Sequence, residues 1–295
     1  MAKDRGIRYM RGRPRKTPPT HISKNSVLNY ASFPPLQVTK TTPLFRLLET
    51  MVARGFRRIF VTTASGILEG VATPMEVIQY LFWKSGESLE TRVLNILSTS
   101  VSKVMRKDIV SISQSASMVE SVKLMKQRGI NGLAVVDGSY VLKAVLTVRD
   151  VLEKSGFPLG SGAVKDYMSK SPVCISIDRS LREGIETMVG FGYRRLPCLD
   201  GPRPVGLFSS RSIIRFLGGR EFLRESSKTL GELMSMGVAS FTIKDIPVLD
   251  PETSISEAWE TIKRSSYGSA LVIKSGSLEG FITEMDFLKA VELEP

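Results

Sequence analysis

The feature that most constrains this chain is a pattern that occurs four times. A helix-like run followed by a short apolar strand recurs, and each run has a small residue 11 positions after its first residue. The runs begin at Leu44, Met118, Leu181 and Ile255, and the small residues are Gly55, Gly129, Gly192 and Ser266. Successive starts lie 74, 63 and 74 residues apart, so the chain contains a duplicated pair of units. Such a repeat predicts a symmetric body with sites at the seams between its units.

Each copy has the pattern of the same five elements. An extended, β-branched segment comes first, as at 109–112 and 173–177, and an amphipathic helix follows. Two short strands and a second helix complete the unit, so the predicted order is β-α-β-β-α. Three of the first helices are preceded by a serine with a glutamate three residues later, which is the capping-box pattern: Ser117 and Glu120, Ser180 and Glu183, Ser254 and Glu257.

Glycine-rich and polar stretches divide the chain into two halves of two units each. The clearest linker, residues 156–162, predicts one module over 25–155 and a second over 156–295. Within these modules the units are predicted at about 26–84, 101–155, 163–218 and 229–293. Residues 1–24 form a separate tail, rich in proline and arginine, that is predicted to be disordered.

Positive charge is concentrated in this tail. The chain has a net charge of +12, and residues 1–24 contain eight basic residues against the single acidic residue Asp4. A basic tail on a nearly balanced body favours contact with polyanions. Residues 11–16, Arg-Gly-Arg-Pro-Arg-Lys, resemble an AT-hook, which lies in the minor groove of AT-rich DNA. Three alternatives stay open for the tail: non-specific binding of DNA or RNA, a true AT-hook, and no role in nucleic-acid binding.

The residues that most enzymes need are scarce in this sequence. His21, in the tail, is the only histidine, so the predicted folded body has none for a catalytic triad. There is no phosphate-binding glycine loop and no cluster of cysteines and histidines that predicts a metal site. Cys174 and Cys198 are expected to be reduced core thiols. No apolar run reaches the ~18 residues of a membrane span. The sequence therefore predicts a cytoplasmic protein that is not an enzyme and does not contact a membrane.

The repeated strands resemble the signature of CBS domains, the cystathionine-β-synthase type of module. The second copy reads Gly-Ile-Asn-Gly-Leu-Ala-Val-Val-Asp over 129–137, followed by Ala-Val-Leu-Thr-Val-Arg-Asp over 144–150. The third copy matches at 192–200 and 205–212, the fourth at 280–286, and the first, less closely, at 70–76. The resemblance implies an α/β fold in which four CBS units pair into two Bateman modules. It implies a disc-like body similar in architecture to the regulatory γ subunit of AMP-activated kinase.

The same resemblance implies a function. CBS proteins bind adenosine-containing ligands (AMP, ADP, ATP or S-adenosylmethionine) in clefts between paired units, and they report the ligand state to another protein. We therefore expect an adenine-nucleotide-binding regulator that needs no other cofactor, with a regulated partner that the sequence does not name. The alternative is a nucleic-acid-binding regulator that uses its tail, with the CBS units as scaffold or ligand gate. A homodimer remains open, although four units in one chain can close a disc alone.

The motif [Thr/Ser]-x-x-Asp is complete in two of the four copies, at Thr147/Asp150 and Thr283/Asp286. At the start of a helix the hydroxyl and free N–H groups suit a phosphate, and a carboxylate accepts both ribose hydroxyls. The same spacing equally predicts an ordinary N-cap with a favourable first-turn acid. Glu76 and Ser212 replace the aspartate in copies one and three. Two competent adenosine sites are therefore expected, with two weak, empty or altered ones.

Arginine pairs have the opposite distribution. Arg57-Arg58 and Arg194-Arg195 lie on the signature strands of copies one and three, where copies two and four have small residues. In the family this position often faces ligand phosphates or the disc centre, although a solvated charged strand is the simpler alternative. The apolar slot for adenine is assigned to 33–36 for the Asp150 site and to Met168 with Val173 for the Asp286 site. The predicted ligand contacts are Thr147, Arg149, Asp150, Thr283, Asp286, Arg58, Arg195, Met168, Val173 and Leu36.

Overall fold

The computed structural model describes residues 26–225 and 227–293. Predictions that fall on the basic tail lie outside these residues and stay predictions. The elements of the first unit are β1 (Gln37–Val38), α1 (Leu44–Arg54), β2 (Ile59–Thr62), β3 (Leu68–Ala72) and α2 (Pro74–Gln79), which continues as a π-helical turn over Tyr80–Lys84. A linker with α3 (Val93–Leu97) leads to the second unit, which contains β4 (Ser111–Ser113), α4 (Met118–Arg128), β5 (Gly132–Val136), β6 (Leu142–Thr147) and α5 (Val148–Lys154).

The second half of the chain repeats this order. The third unit has a leading segment with α6 (Val164–Tyr167) and β7 (Ser169–Lys170). The unit itself then contains β8 (Ile175–Ser176), α7 (Leu181–Gly190), β9 (Arg195–Asp200), β10 (Arg203–Ser209) and α8 (Ser210–Leu217). The linker helices are α9 (Arg220–Glu225) and α10 (Leu230–Ser235). The fourth unit contains β11 (Val248–Leu249), α11 (Ile255–Arg264), β12 (Ser269–Lys274), β13 (Ser277–Thr283) and α12 (Glu284–Ala290). The predicted β-α-β-β-α order is confirmed in all four units.

The first helix of every unit begins at the residue that the repeat predicts. Two of the predicted capping boxes form completely, at Ser117 and at Ser180, where serine and glutamate bond to each other's backbone N–H. At Ser254 the serine half of the box forms, because its side chain accepts from the N–H of Glu257. Local hydrogen bonding therefore fixes these helix starts in the way that the sequence predicts.

The capping glutamates make stability depend on pH. Hydrogen bonds from the Ser180 N–H and hydroxyl, followed by a bond from Arg179, lower the pKa of Glu183 below its usual range. A carboxyl with a lowered folded-state pKa stabilises the fold above its unfolded pKa and loses this effect as pH falls through the folded value. We expect the melting temperatures of wild type and Glu183→Gln to differ most near pH 7 and to converge below about pH 4. The matched control is Glu186→Gln on the same helix; an equal pH dependence for both variants would contradict the expectation.

Each unit has a small sheet in which the middle strand lies between two partners. The unit's first strand pairs with the middle strand in parallel, and the middle and last strands pair as an antiparallel hairpin. In the fourth unit β7 from the third unit joins the edge of β13 and makes a sheet of four strands.

The two units of each module exchange their leading segments. The segment that precedes each unit's first strand crosses to the partner unit and pairs there with the last strand of the sheet. The four pairings are Ser32 with Val145, Arg106 with Val71, Lys170 with Gly280 and Ile243 with Leu207. Each seam is therefore built from the helix start of one unit and the leading segment of the other, as the Bateman arrangement requires.

Apolar packing joins the units on two sides. Inside each module the two sheets face each other, with Phe60 and Val71 against Ala134 in the first module, and Leu207 against Leu271 in the second. Between the modules, helices α1 and α2 pack on α8, and α5 packs on α12. The buried core is continuous from the first unit into the third. The four units thus form one body with a shared centre.

Two negative findings apply to residues 26–225 and 227–293. No helix there has the length and apolar character that crossing a bilayer requires. No three cysteine, histidine or acidic side chains come together in a way that would hold a metal ion.

Candidate functional site

The predicted Thr147/Asp150 pair forms a capping box at the start of α5. One carboxylate oxygen of Asp150 accepts from the N–H and hydroxyl of Thr147, at 2.9 and 2.6 Å. The other oxygen accepts from Ser32 Oγ at 3.0 Å and from Lys154 Nζ at 2.5 Å. Asp150 is only 5% exposed, so both of its oxygens are saturated by internal partners.

The Thr283/Asp286 pair repeats this geometry in the fourth unit. Asp286 accepts from the N–H and hydroxyl of Thr283 at 2.9 and 3.0 Å, and its other oxygen pairs with Lys289 at 2.7 Å. Asp286 is likewise 5% exposed. The N-cap role that the spacing allowed is thus realised at both pairs in this structure, and ligand binding there stays a prediction.

The residues predicted to line an adenine slot lie in different cores. Met168 packs against the core of the fourth unit, as expected for a residue of the Asp286 seam. Val173 and Leu36 instead pack against the core that the first and third units share. Phe33 packs on the second unit, in which Asp150 lies. The structure therefore places Met168 and Phe33 on the units of the predicted sites and packs Val173 and Leu36 on the core of the first and third units. Ligand contact by any of the four stays a prediction.

Arginines from three units converge where the modules meet. Five of them line a cavity of about 40 Å³, here called the central cavity, at the junction of the modules. A sixth, Arg149, joins them through a shared carboxylate. This arginine cluster consists of Arg57, Arg58, Arg149, Arg194, Arg195 and Arg211. Both arginine pairs line the central cavity, which is the position that the prediction of the disc centre requires.

Small residues in the partner copies make room for these side chains. The Arg58 guanidinium donates to Asn131 Oδ1 and lies against Gly132, where a β-carbon would come within 3.0 Å of Arg58 Cζ. Arg195 donates to the carbonyl of Tyr267 at 2.8 Å. The alternation between arginine pairs and small residues therefore reflects complementary packing between the paired units.

The positive charge of the cluster is poorly compensated. Burial, together with the neighbouring guanidiniums of Arg194 and Arg57, lowers the pKa of Arg58 to about 9. Burial and Arg57 lower the pKa of Arg195 to about 9 as well. Desolvation and like charges both disfavour the charged form of a base. An anion that entered the centre would relieve this unfavourable charge.

A single carboxylate is paired with the cluster among the residues that the structure describes. Glu284 is 4% exposed, and its oxygens accept from Arg149 Nε at 2.9 Å and from Arg57 at 3.2 Å. Arg149 also donates to the carbonyl of Ser265 at 3.2 Å. Glu284 thus ties the fourth unit to the first and second units at the disc centre.

A larger cavity of about 320 Å³ opens at the seam of the first and second units. We call it the seam cavity. Its acidic group is Glu76, which caps α2 by accepting from the Thr73 N–H at 3.0 Å and from the Thr73 hydroxyl. The second Glu76 oxygen lies 3.6 Å from Nε of Arg106, on the leading segment of the second unit. The motif copy that was expected to be weak, empty or altered therefore opens into a cavity of about 320 Å³.

The seam cavity combines three kinds of surface. Phe60, Val71 and Ile109 provide apolar walls, and Tyr193 of the third unit stands at one side, stacked on the exposed Phe191. Arg58, Thr73, Asn131 and Arg194 line both this cavity and the central cavity, so the two adjoin. Its volume lies within the range of about 300–1,000 Å³ that is typical of small-molecule sites.

Two charged residues were missed by sequence reasoning: Glu284, which is paired with the arginine cluster, and Arg106, which lines the seam cavity. Nothing in the sequence marked Glu284 as a site residue, because it only follows a motif threonine and its partners lie in other units. Arg106 and Glu76 carry opposite charges. The sequence alone, however, does not give the register in which the leading segment of one unit pairs with a strand of its partner unit. Only the exchange of leading segments brings these two side chains together.

The repeat, the exchanged leading segments and the seam cavity together define a class of protein. The sequence profile described as CBS domain matches residues 27–82, 101–156, 164–219 and 238–293. The chain therefore belongs to the CBS domain family and contains four copies of the domain.

Relatives that match nearly the whole chain have the same organisation. Protein MJ1225 of Methanocaldococcus jannaschii is 23% identical over 261 residues, which cover 85% of this chain and 93% of that protein. Its crystal structure, described as that of a candidate archaeal homolog of g-AMPK, superposes with a TM-score of 0.82 over 90% of this chain and 99% of that one. An uncharacterized 33.4 kDa protein of Thermofilum pendens, from a ribosomal RNA operon, is 24% identical over 274 residues, 89% of this chain and 90% of that protein.

An enzyme also appears among the relatives, but with a partial match. Inosine-5'-monophosphate dehydrogenase of Methanocaldococcus jannaschii is 30% identical over 130 residues, which are 43% of this chain and only 26% of that enzyme. The similarity thus leaves about three quarters of that enzyme unmatched.

Proposed function

We propose that this protein is a non-catalytic sensor that binds an adenine nucleotide, with its adenosine in the seam cavity and its phosphates on the arginine cluster. The observation that carries the proposal is the poorly compensated positive charge that adjoins a cavity with a carboxylate and apolar walls. Membership of the CBS family supports an adenosine-containing ligand, since this is the ligand class that the family resemblance implies.

The parts of the seam cavity match the parts of a nucleotide. A purine requires an apolar or aromatic wall, which Phe60, Val71 and Tyr193 supply. The second Glu76 oxygen can accept from ribose hydroxyls once the 3.6 Å contact with Arg106 is released. Arg58 and Arg194 then lie between this position and the disc centre, where guanidiniums suit phosphate oxygens.

A regulatory role fits the position of the cluster better than catalysis does. Ligand bound on Arg58 and Arg194 contacts the first and third units at once, so binding changes the attachment of one module to the other. Such differential contact is the requirement for a ligand-controlled conformational equilibrium.

The experiment is calorimetry of the full chain with ATP, ADP, AMP and S-adenosylmethionine, repeated on two variants. We expect a nucleotide to bind the wild type and the double variant Asp150→Ala/Asp286→Ala with similar affinity. Glu76→Ala should bind it about tenfold more weakly, which is the effect of losing a charge-assisted hydrogen bond.

The possible outcomes test the ligand class and the assigned binding site separately. Absence of heat with all four ligands in the wild type would overturn the proposed function. Loss of binding in the aspartate double variant, with Glu76→Ala unaffected, would place the ligand at the Asp150 and Asp286 seams that the motif predicts. In that case the function would stand and the seam-cavity assignment would fail.

A further inference from the structure

The buried carboxylate of Glu284 occupies a chemically unusual position. It is an anion held at the edge of a cationic cavity by two arginines that come from two other units. One of them, Arg57, also lines the central cavity, whereas Glu284 itself does not line it. Glu284 and a ligand phosphate would therefore share Arg57 as a donor, although they approach it from different sides.

A carboxylate and a polyphosphate are unequal competitors for guanidinium groups. Glu284 brings one negative charge to six arginines, whereas a nucleotide polyphosphate brings several charges and more acceptor oxygens. Arg57 and Arg149 are about one-third exposed, so their side chains have space to turn toward a new acceptor. The Arg57 contact, at 3.2 Å, is also the longer of the two bonds to Glu284.

We propose that Glu284 is an internal counterion that holds the arginine cluster in the ligand-free protein and is displaced from Arg57 when a polyphosphate binds. This inference rests on the proposed function and adds its regulation. Without ligand, Glu284 ties the fourth unit to the first through Arg57. With ligand, Arg57 turns to the phosphates and this link between the modules is released, so occupancy of the cluster changes how the two modules are joined.

The test compares Glu284→Gln with wild type in two measurements on the full chain. Because the variant lacks the competing charge, we expect it to bind ATP about fivefold to tenfold more tightly by calorimetry. Because Arg57 and Arg149 lose their counterion, we expect a lower melting temperature in the absence of ligand. These changes have opposite signs, whereas a purely structural role for Glu284 would reduce stability and affinity together.

Glu279→Gln provides the matched control, since it removes the same charge from an exposed position in β13 of the same unit. It should match wild type in both measurements. If wild type binds ATP but Glu284→Gln binds with equal or lower affinity, the counterion role is wrong and the proposed function is untouched. If wild type binds none of ATP, ADP, AMP and S-adenosylmethionine, the failure belongs to the proposed function. If it binds one of the others but not ATP, the counterion proposal fails and the proposed function stands.

A measurement of melting temperature with added pyrophosphate tests the proposal even if the variant folds poorly. Pyrophosphate lacks a nucleoside and probes the cluster alone. Addition of pyrophosphate should raise the melting temperature of Glu284→Gln more than that of wild type, because the added anion replaces the missing carboxylate. An equal or smaller increase in the variant, or a variant that stays unfolded with pyrophosphate, would overturn the proposal.

Discussion

Replacement of Arg195 by methionine is expected to weaken ATP binding by between about tenfold and a hundredfold. This range follows from charge-assisted hydrogen bonds, which contribute about 1.5–3 kcal/mol each when their partner is retained. Methionine preserves an unbranched side chain and removes the guanidinium. Isothermal titration calorimetry of the variant and wild type measures the change.

The same substitution should leave the ligand-free protein close to wild type in stability. Burial and neighbouring arginines already lower the pKa of Arg195, so its removal relieves unfavourable charge while it forfeits the bond to the Tyr267 carbonyl. The control is Arg182→Met, which removes an exposed arginine paired with Glu186 on α7. ATP affinity that is equal in all three proteins would show that the cluster does not hold the phosphates.

Replacement of Gly218 by valine is expected to separate the modules and to lower the free energy of unfolding by about 3 kcal/mol. Gly218 follows the last residue of α8 and lies against α1. A β-carbon at this position would come 2.9 Å from the Leu48 carbonyl oxygen and 2.8 Å from a methyl carbon of Val52. Because one of these neighbours is backbone, α1 must move as a whole, and the first unit moves with it.

Urea unfolding followed by circular dichroism measures this loss, and calorimetry with ATP reports whether the central cluster survives. Gly190→Val is the matched control, since Gly190 lies in α7 and a β-carbon there would meet no neighbouring element of the described chain within 4 Å. It should retain near-normal ATP binding. A Gly218→Val protein with wild-type stability would show that the α1–α8 contact does not hold the modules together.

The parts of the fold that depend on local sequence were predictable. The helix starts at Met118, Leu181 and Ile255 follow from apolar spacing and from capping residues that lie within one turn of each other. The start at Leu44, which follows Pro43 and has no capping side chain, follows from apolar spacing alone. The pairing of the units into two modules was predicted from the family resemblance.

The site was only partly predictable, because its contacts join residues that are far apart in the chain. Arg57 and Glu284 are 227 residues apart, and their pairing depends on how two modules pack. The spacing of Thr147 and Asp150 did not distinguish an N-cap from a ligand site. A hydroxyl followed three residues later by a carboxylate, at the start of a helix, fits both roles equally well. The arginine pairs were informative because four aligned copies showed where the chain departs from its own repeat.

The Glu284 carboxylate at the centre has a consequence for how this molecule can be assembled. In the repeat, the position of Glu284 in the fourth unit corresponds to Val148 in the second. A dimer of two identical modules would place two carboxylates there or none, because its twofold axis copies every side chain. Joining both modules in one polypeptide breaks that symmetry. It allows one half of the disc to supply the anion and the other half the arginines that bind it.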